Sequence, residues 1–507
     1  MRKSGVIMSG SYIAGTLRSE YGMLPPSMLR INDNVLLSEQ VTFLQSQGVS
    51  QIYLTLPTNY LPDKWLYDYI FKQSIKVLYS NPSSNIVTSL EFLLFQMFNL
   101  NERDVVVIYG DTLVNVNKNI SPNTIFTAFN DYEYEWGKLS NDQSKIFTGC
   151  FRIDVNLNLL NIFTSDKFGS AENLLNKIFD PSSSVMIDNE RWLDFGHLNT
   201  YYDSIGKSFK PREFNEIKVA GNKVYKSSND VLKIQAEFRW YQSIPNLLNK
   251  FSPRIYGIEH NNGQELYAME YLRLPSLQTI LIYGRVSESY WTNAFISCFE
   301  FIKLSKNVNL GNINYKSFNQ FLISKTEDRI SDIQFKTKSQ EFRIKQFIDR
   351  INKYLLSNSD YIESMKSYAH GDFCFSNILF DVKYKEIRLI DPRGVFDNCN
   401  GHFNQLYDLA KLLHSVYGKY DSVVCGIDGK KDNNPTEFYD HYNSIFQRSF
   451  NKQLRGNFDD KAILIAHCVV VHLFVSMVPL HKDCTGRQFS FLKIAEEYYL
   501  ERVHDYI

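Results

Sequence analysis

The chain of 507 residues carries 55 Lys and Arg against 55 Asp and Glu, a formal net charge of zero, and 44% of its residues are hydrophobic. With no basic excess and no block of like charge, it lacks the electrostatic footprint of a nucleic-acid binder or of a protein held on an anionic membrane. So long a chain exceeds one compact core, and chemistry on small molecules stays open.

The first residues, Lys3 to Gly10, read as a short buried strand (Val6, Ile7, Met8) that runs into a glycine-containing loop from Ser9 to Arg18. Loops of this composition let backbone N–H groups approach phosphate. Leu36 to Gln47 is helical by period, Gly48 to Leu56 is a second strand, Ser89 to Phe98 is helical, and Asp104 to Asp111 is a buried strand ending in Gly-Asp. Strands alternating with helices predict an α/β domain, Rossmann-like with a mostly parallel sheet. Its ligand would lie at the carboxyl ends of the strands, where the glycine loop and Asp111 emerge.

Five features share this half: the glycine loop, Leu24-Pro25-Pro26 ahead of a helix, Ser89-Leu90 opening a later one, Gly110-Asp111 after a strand, and Trp192-Leu193-Asp194-Phe195-Gly196. Together they resemble the sugar-1-phosphate and phosphocholine nucleotidyltransferases over residues 4 to 205. The resemblance implies a 1–205 domain in which Asp111 and Asp194 hold Mg²⁺ against the phosphates of CTP or UTP, with Gly10 and Arg18 bordering the nucleotide. Two carboxylates converging from distant segments suit that chemistry, because the metal offsets charge as one phosphate attacks another. The chain departs from the family at Pro26, where a phosphate-steadying Lys is the rule. Arg18, Arg2 or Lys3 are the candidates to replace it, and the alternative is a domain that binds a nucleotide or sugar phosphate without turning it over.

A polar linker, Asp203 to Glu213, leads to a hairpin from Ile217 to Ser228, a helix around Leu232 to Ile244, and two antiparallel strands, Pro253 to Gly257 and Glu265 to Leu272. Lys226 on the hairpin and Glu237 on the helix stand out as a charged pair. Lys233 competes for the role of Lys226, but it lies one helical turn before Glu237, where the two make only an i,i+4 contact.

The stretch Tyr368-Ala-His370-Gly-Asp372-Phe-Cys-Phe-Ser-Asn377 carries the densest signal. Asp372 precedes Asn377 by the spacing a phosphoryl-transfer loop needs, the Asp facing an acceptor hydroxyl and the Asn turning back to Mg²⁺. Two apolar strands joined by the polar turn from Asp381 to Glu386 would form a hairpin that returns Asp391 beside Asn377. His-Gly-Asp, the Asn that follows and the later Ile-Asp resemble the aminoglycoside phosphotransferase and choline kinase family, a small-molecule branch of the protein-kinase-like fold.

That resemblance implies an α+β domain with an N-lobe at 206–272 and a helical C-lobe at 273–507. It makes Asp372 the catalytic base, Asn377 and Asp391 the Mg²⁺ ligands and His370 a scaffold residue. Lys226 and Glu237 would serve the α- and β-phosphates of ATP, while Glu270 and Leu272, at the hinge, would offer backbone groups to adenine. Asp408 takes the place of a structural Asp, and Arg393 either meets a substrate phosphate or braces the loop.

Ser287 to Leu356, Tyr407 to His414, Lys461 to Val478 and Phe489 to Val503 read as helices, and Tyr420-Asp421 as a surface turn. The apolar run Ala462 to Leu480 is broken by His467, His472 and Ser476 and meets Pro479, so it reads as a buried helix with no membrane insertion. The seven cysteines are scattered without metal spacing, which suits a reducing cytoplasm. The resulting expectation is a bifunctional enzyme: an ATP-dependent kinase acting on a small alcohol, sugar or sugar phosphate, joined to a nucleotidyltransferase that makes an activated precursor for cell-surface polysaccharide. The alternative keeps the kinase and makes the N-terminal domain a non-catalytic binding module.

Overall fold

The computed structural model describes residues 2–507 apart from 33, 117–118, 130–131, 133, 135–136, 140–141, 166, 180, 188–190, 209–214, 229, 262–263, 309–316, 397–398 and 426–435. The chain divides into two compact units, the first Met1–Lys210 with Tyr283–Arg285, the second Pro211–Ile282 with Val286–Ile507.

In the first unit the elements are β1 (Lys3–Met8), α1 (Gly15–Tyr21), α2 (Leu36–Ser46), β2 (Gln51–Pro57), β3 (Lys76–Ser80), α3 (Ile86–Asn99), β4 (Asp104–Tyr109), β5 (Thr112–Val114), β6 (Thr124–Ala128), β7 (Asp142–Asp154), β8 (Ser184–Met186), β9 (Trp192–Asp194) and α4 (Leu198–Ser208). The main sheet has the order β8-β6-β7-β4-β1-β2-β3, with Lys138–Leu139 also paired to β7. Strands β4, β1, β2 and β3 run parallel, whereas β7 is antiparallel to both β4 and β6. The sheet is therefore mixed, parallel only where helical crossovers connect its strands. Val105, Val106, Val107 and Ile108 are all 0% exposed, a continuous run instead of an alternation, because β4 is covered on both faces. One of those faces packs on Leu90, Leu93, Leu94 and Met97 of α3, a helix started by Asn85, whose side chain accepts from Thr88 N–H at 2.9 Å.

The second unit opens with β10 (Asn215–Ala220), β11 (Lys223–Ser228), α5 (Val231–Ser243), β12 (Ile255–Asn261) and β13 (Gln264–Glu270). Its antiparallel sheet has the order β10-β11-β13-β12, and Gly221 turns the first hairpin with φ of 59°. A helical part follows: α6 (Glu288–Lys306), α7 (Phe318–Ile330), α8 (Lys338–Ser357), the hairpin β14 (Ile378–Asp381) and β15 (Glu386–Leu389), then α9 (Gln405–Val416), α10 (Asp460–Met477) and α11 (Thr485–Arg502). The segment Asp460–Leu480 is long and apolar enough to cross a membrane, but 83% of its 18-residue apolar window is buried, and it packs against α7, α9 and α11.

Three local expectations are corrected. β13 ends at Glu270, so Leu272 lies beyond the strand. β15 ends at Leu389, and Asp391 follows it with φ of 56°, a left-handed conformation outside any strand. Tyr420 and Asp421 start a short buried helix, Tyr420–Val424, in which Asp421 is 0% exposed; it packs in the interior and forms no surface turn.

Candidate active sites

In the second unit the loop from His370 to Asn377 is fixed before any ligand arrives. Gly371 has φ of 79°, and a Cβ there would sit 2.1 Å from the Phe396 ring, so only glycine fits. Asp408, 1% exposed, accepts the N–H groups of His370 (2.8 Å) and Gly371 (2.7 Å). Trp240 Nε1 donates to the Ala369 carbonyl at 2.9 Å, and Phe375 stacks on Trp291 of α6 at 6.0 Å. His370 is neutral, its pKa pushed down to about 4 by burial, and bonds the Ile390 carbonyl through Nε2 at 3.1 Å.

This frame presents Asp372 and Asn377 together. Asn377 Nδ2 donates to both the carbonyl and Oδ2 of Asp372, each at 2.9 Å, and its Oδ1 takes one hydrogen bond from Ser376. The pairing Ile378↔Leu389 and the bond from Ile390 N–H to the Asn377 carbonyl (3.0 Å) set Asp391 directly after the residue opposite Asn377. Asp391 Oδ1 meets Lys226 Nζ at 2.8 Å, and the same ammonium meets Glu237 Oε2 at 2.6 Å. Burial disfavours the charged lysine, but Asp391 and Glu237 outweigh it and raise its pKa. Tyr267 also donates to Glu237 at 3.0 Å. Between Lys226 and Lys233, the geometry selects Lys226.

At the hinge, Glu270 is tied up internally. Its N–H donates to the Arg254 carbonyl at 2.8 Å and its carboxylate accepts from Arg254 N–H at 3.2 Å. The N–H of Tyr271 goes to the Asn222 carbonyl at 2.9 Å, whereas the backbone groups of Leu272 make no internal hydrogen bond among the described residues. Of the two hinge residues, Glu270 has therefore already spent its N–H, which cannot donate twice without loss.

One partner of the loop was not foreseen: Lys411 of α9, whose Nζ lies 2.8 Å from Asp372 Oδ1. Burial pushes the Asp372 carboxyl up, but the Lys411 ammonium and further hydrogen bonds bring it down to about 2. The sequence signal was there, a lysine one turn after Tyr407 on a helix that is otherwise largely buried. Lys411→Met leaves burial as the main influence on Asp372. A carboxyl so released titrates at higher pH, so the acid limb of the kcat/KM profile should move upward from its parent position. An acid limb that stays in place would show that Lys411 does not act on Asp372.

In the first unit, β5 pairs antiparallel with β9 in a register that sets Asp194 opposite Thr112, and Phe195 N–H donates to the Asp111 carbonyl at 2.8 Å. The carboxylates of Asp111 and Asp194 thereby converge on Gly196, where a Cβ would sit 2.7 Å from Asp111 Oδ2 and 3.4 Å from Asp194 Oδ1. Burial and the neighbouring Asp194 raise the Asp111 pKa to about 6. His197 Nδ1 contacts Asp194 Oδ2 at 2.9 Å and Thr200 donates to the same oxygen; burial disfavours the charged imidazole but Asp194 and Asp111 raise its pKa, and the protonated ring acts on Asp111 in turn. This histidine carried no sequence signal beyond its place after Trp192–Gly196.

Arg18 sits exposed on α1, its charge felt by the phenol of Tyr12. Arg2 and Lys3 are placed at the wrong end: they bond Ser50 and the Gln47 carbonyl at the amino end of β1, a strand length from Asp111. Gly10 is required by packing, since a Cβ there would fall 2.0 Å from Ser80 Oγ, which donates to the Gly10 carbonyl.

No group of three His, Cys, Asp or Glu side chains forms a metal site among the described residues. Each unit instead brings two oxygen-bearing side chains toward one another, Asn377 with Asp391 and Asp111 with Asp194, which would suit Mg²⁺ if substrate phosphates completed its shell. The mutual repulsion at Asp111 and Asp194 fits a cation between them. Asp111→Asn is expected to test this. A carboxyl raised in the folded state contributes stability that is fully present below its unfolded pKa and is lost as pH rises through its folded pKa of about 6. The variant should therefore melt at higher temperature than the parent above that pH, the gap closing on acidification, and Mg²⁺ should raise the melting temperature of the parent only.

No protein-family model and no curated protein matches the chain. The solved structures similar to it include a nucleoside-diphosphate-sugar pyrophosphorylase from Vibrio cholerae, 13% identical with a TM-score of 0.31, which covers 40% of this chain and 99% of its own. An aminoglycoside phosphotransferase from Streptomyces rimosus is 13% identical with a TM-score of 0.34, covering 50% of this chain and 92% of its own. A glucosamine kinase in complex with glucosamine, ADP and inorganic phosphate is 14% identical with a TM-score of 0.39, covering 57% and 81%. These neighbours are of the same two kinds as the two resemblances carried by the sequence motifs.

Proposed function

We propose that the second unit is an ATP-dependent kinase that phosphorylates a hydroxyl group of a small molecule. The observation that carries this reading is the meeting of five residues from four segments: Lys226 bridges Glu237 and Asp391, while Asn377, next to Asp391, holds Asp372. Lys226, kept charged and immobile by its two carboxylates, orients nucleotide phosphates. Leu272 offers backbone groups to adenine. Asp372, whose side chain is 41% exposed, faces the acceptor and takes its proton. Asn377 Oδ1 and Asp391 would hold Mg²⁺, which when bound neutralises phosphate charge. Catalysis in such a site is positioning and electrostatics, which is what a prebuilt ion-pair network supplies.

For the first unit the reading is nucleotidyl transfer on CTP or UTP, with Asp111 and Asp194 as the Mg²⁺ pair; the product would be an activated precursor for cell-surface polysaccharide. A second reading, a non-catalytic nucleotide or sugar-phosphate module, is favoured by Pro26 and by a histidine, instead of Lys or Arg, as the cation acting on Asp111. Purified full-length chain incubated with ATP, Mg²⁺ and a panel of sugars, sugar phosphates, polyols and amino alcohols should yield one product heavier by a phosphate in the mass spectrum. Addition of CTP or UTP should then release pyrophosphate. Absence of any phosphorylated product sinks the kinase reading, and product without pyrophosphate leaves the first unit as a binding module.

A further inference from the structure

Beside Asp372 the helical part of the second unit gathers cations that no carboxylate offsets. Phe321, Lys325 and Arg329 recur at four-residue intervals along α7 and so share one face, as do Tyr407 and Lys411 on α9. The two faces meet where Lys325 Nζ donates to Tyr407 Oη at 2.8 Å. Arg393, from the loop after β15, lays its guanidinium over the rings of Phe321 (5.1 Å) and Phe396 (5.3 Å).

Lys325, Arg329 and Arg393 have no acidic partner among the described residues. Lys325 has only the phenol, Arg329 donates to the Ser476 carbonyl at 2.8 Å, and Arg393 Nε is buried with no partner at all. Their crowding is felt throughout the group. Burial, then Arg393 and Lys411, push the Lys325 pKa down to about 8. Burial favours a neutral Tyr407, yet Lys325, Arg393 and Lys411 bring its phenol down to about 7.

The acidic residues nearby do not relieve this excess. Asp372 is taken by Lys411, Asp408 is spent on two backbone N–H groups, and Asp421 is 0% exposed with its pKa pushed up to about 7 by burial. Lys325, Arg329 and Arg393 each lie between buried and exposed. Like charges held together without counter-charge cost stability, and a bound anion removes that cost.

We propose that the acceptor is an anion, a hydroxyl compound that also bears an oxyanion group of the phosphate or carboxylate kind, held by Lys325, Arg329 and Arg393 while its hydroxyl lies against Asp372. The proposal rests on the kinase reading. In the reaction the acceptor oxygen forms a bond to the γ-phosphorus as the bond to the β,γ-bridging oxygen breaks; ADP leaves, and the hydroxyl proton passes to Asp372. Guanidinium groups suit the task because their fork matches the spacing of two phosphate or carboxylate oxygens.

The test uses the full chain saturated with ADP and Mg²⁺, so that the nucleotide site is filled, and titrates inorganic phosphate, glucose 6-phosphate, glucose and glucosamine calorimetrically. Glucose 6-phosphate should bind about tenfold or more tighter than glucose or glucosamine, the scale of one charge-assisted contact. Lys325→Gln and Arg329→Gln should each erase the preference, and Lys325→Arg, which keeps the charge, should retain it. The proposal is overturned if neither phosphate probe binds more tightly than the neutral and cationic sugars, or if the preference survives both Gln variants. Failure of ADP to bind in the first place is a different result and overturns the kinase reading together with it.

Discussion

Asp372→Asn should lower the rate of phosphoryl transfer by about a thousandfold, the usual contribution of a positioned base, while leaving ATP binding as it is in the parent. The argument is geometric. Asn377 Nδ2 can donate to an amide oxygen at residue 372 as it does to the carboxylate, so the substitution loses the Lys411 ion pair on the other oxygen but leaves the Lys226 network, assigned above to the nucleotide, undisturbed. What disappears is the proton acceptor for the attacking hydroxyl. Single-turnover transfer and nucleotide titration, measured on the same preparation, separate the two effects. Asp391→Ala should show the reverse pattern, with Mg²⁺-dependent ATP binding weakened. Turnover of Asp372→Asn at the parental rate would mean that the reacting centre lies elsewhere.

The second large effect is on stability and nucleotide binding together. Lys226 is 1% exposed and Glu237 is 2% exposed, and breaking such a buried pair by removing one partner costs about 3–5 kcal/mol. Lys226→Met leaves Glu237 facing Asp391 with no cation between them. Burial already raises the Glu237 pKa against the pull of Lys226, and Asp391 raises it further; without Lys226 only the pull of Lys233 remains against them. A carboxyl raised in the folded state withdraws stability as pH rises through its folded pKa, so the variant's deficit should be largest at mildly alkaline pH and shrink on acidification. Melts at several pH values check the sign. A deficit independent of pH would assign the loss to packing of the lysine stem, and unchanged nucleotide affinity would remove Lys226 from the phosphate site.

Most of the element order is readable without coordinates. Buried β-branched runs such as Asp104–Tyr109, periodic helices such as Ile86–Asn99, and the turn residues between them carry local signals that survive folding unchanged. The antiparallel β7 is not readable in this way, because a strand's direction in a sheet is set by the path of the chain and leaves the strand's own composition unaltered. The hinge shows the same limit at the scale of one residue: Glu270 and Leu272 look equivalent until Arg254 is seen to occupy the N–H of the first.

The divide in the candidate sites has a single physical reason. Residue types and short spacings, Asp372 to Asn377, the hairpin that returns Asp391, Gly110-Asp111, are written along the chain because they act within one loop or one turn, and the sequence by itself determined them. Charge balance is not written there, since it depends on which distant side chains share a low-dielectric space. Lys411 on Asp372, His197 within reach of Asp111, and the group that Lys325 and Arg329 of α7 form with Tyr407 and Arg393 join separate helices and loops, and tertiary packing alone decided that they face one another.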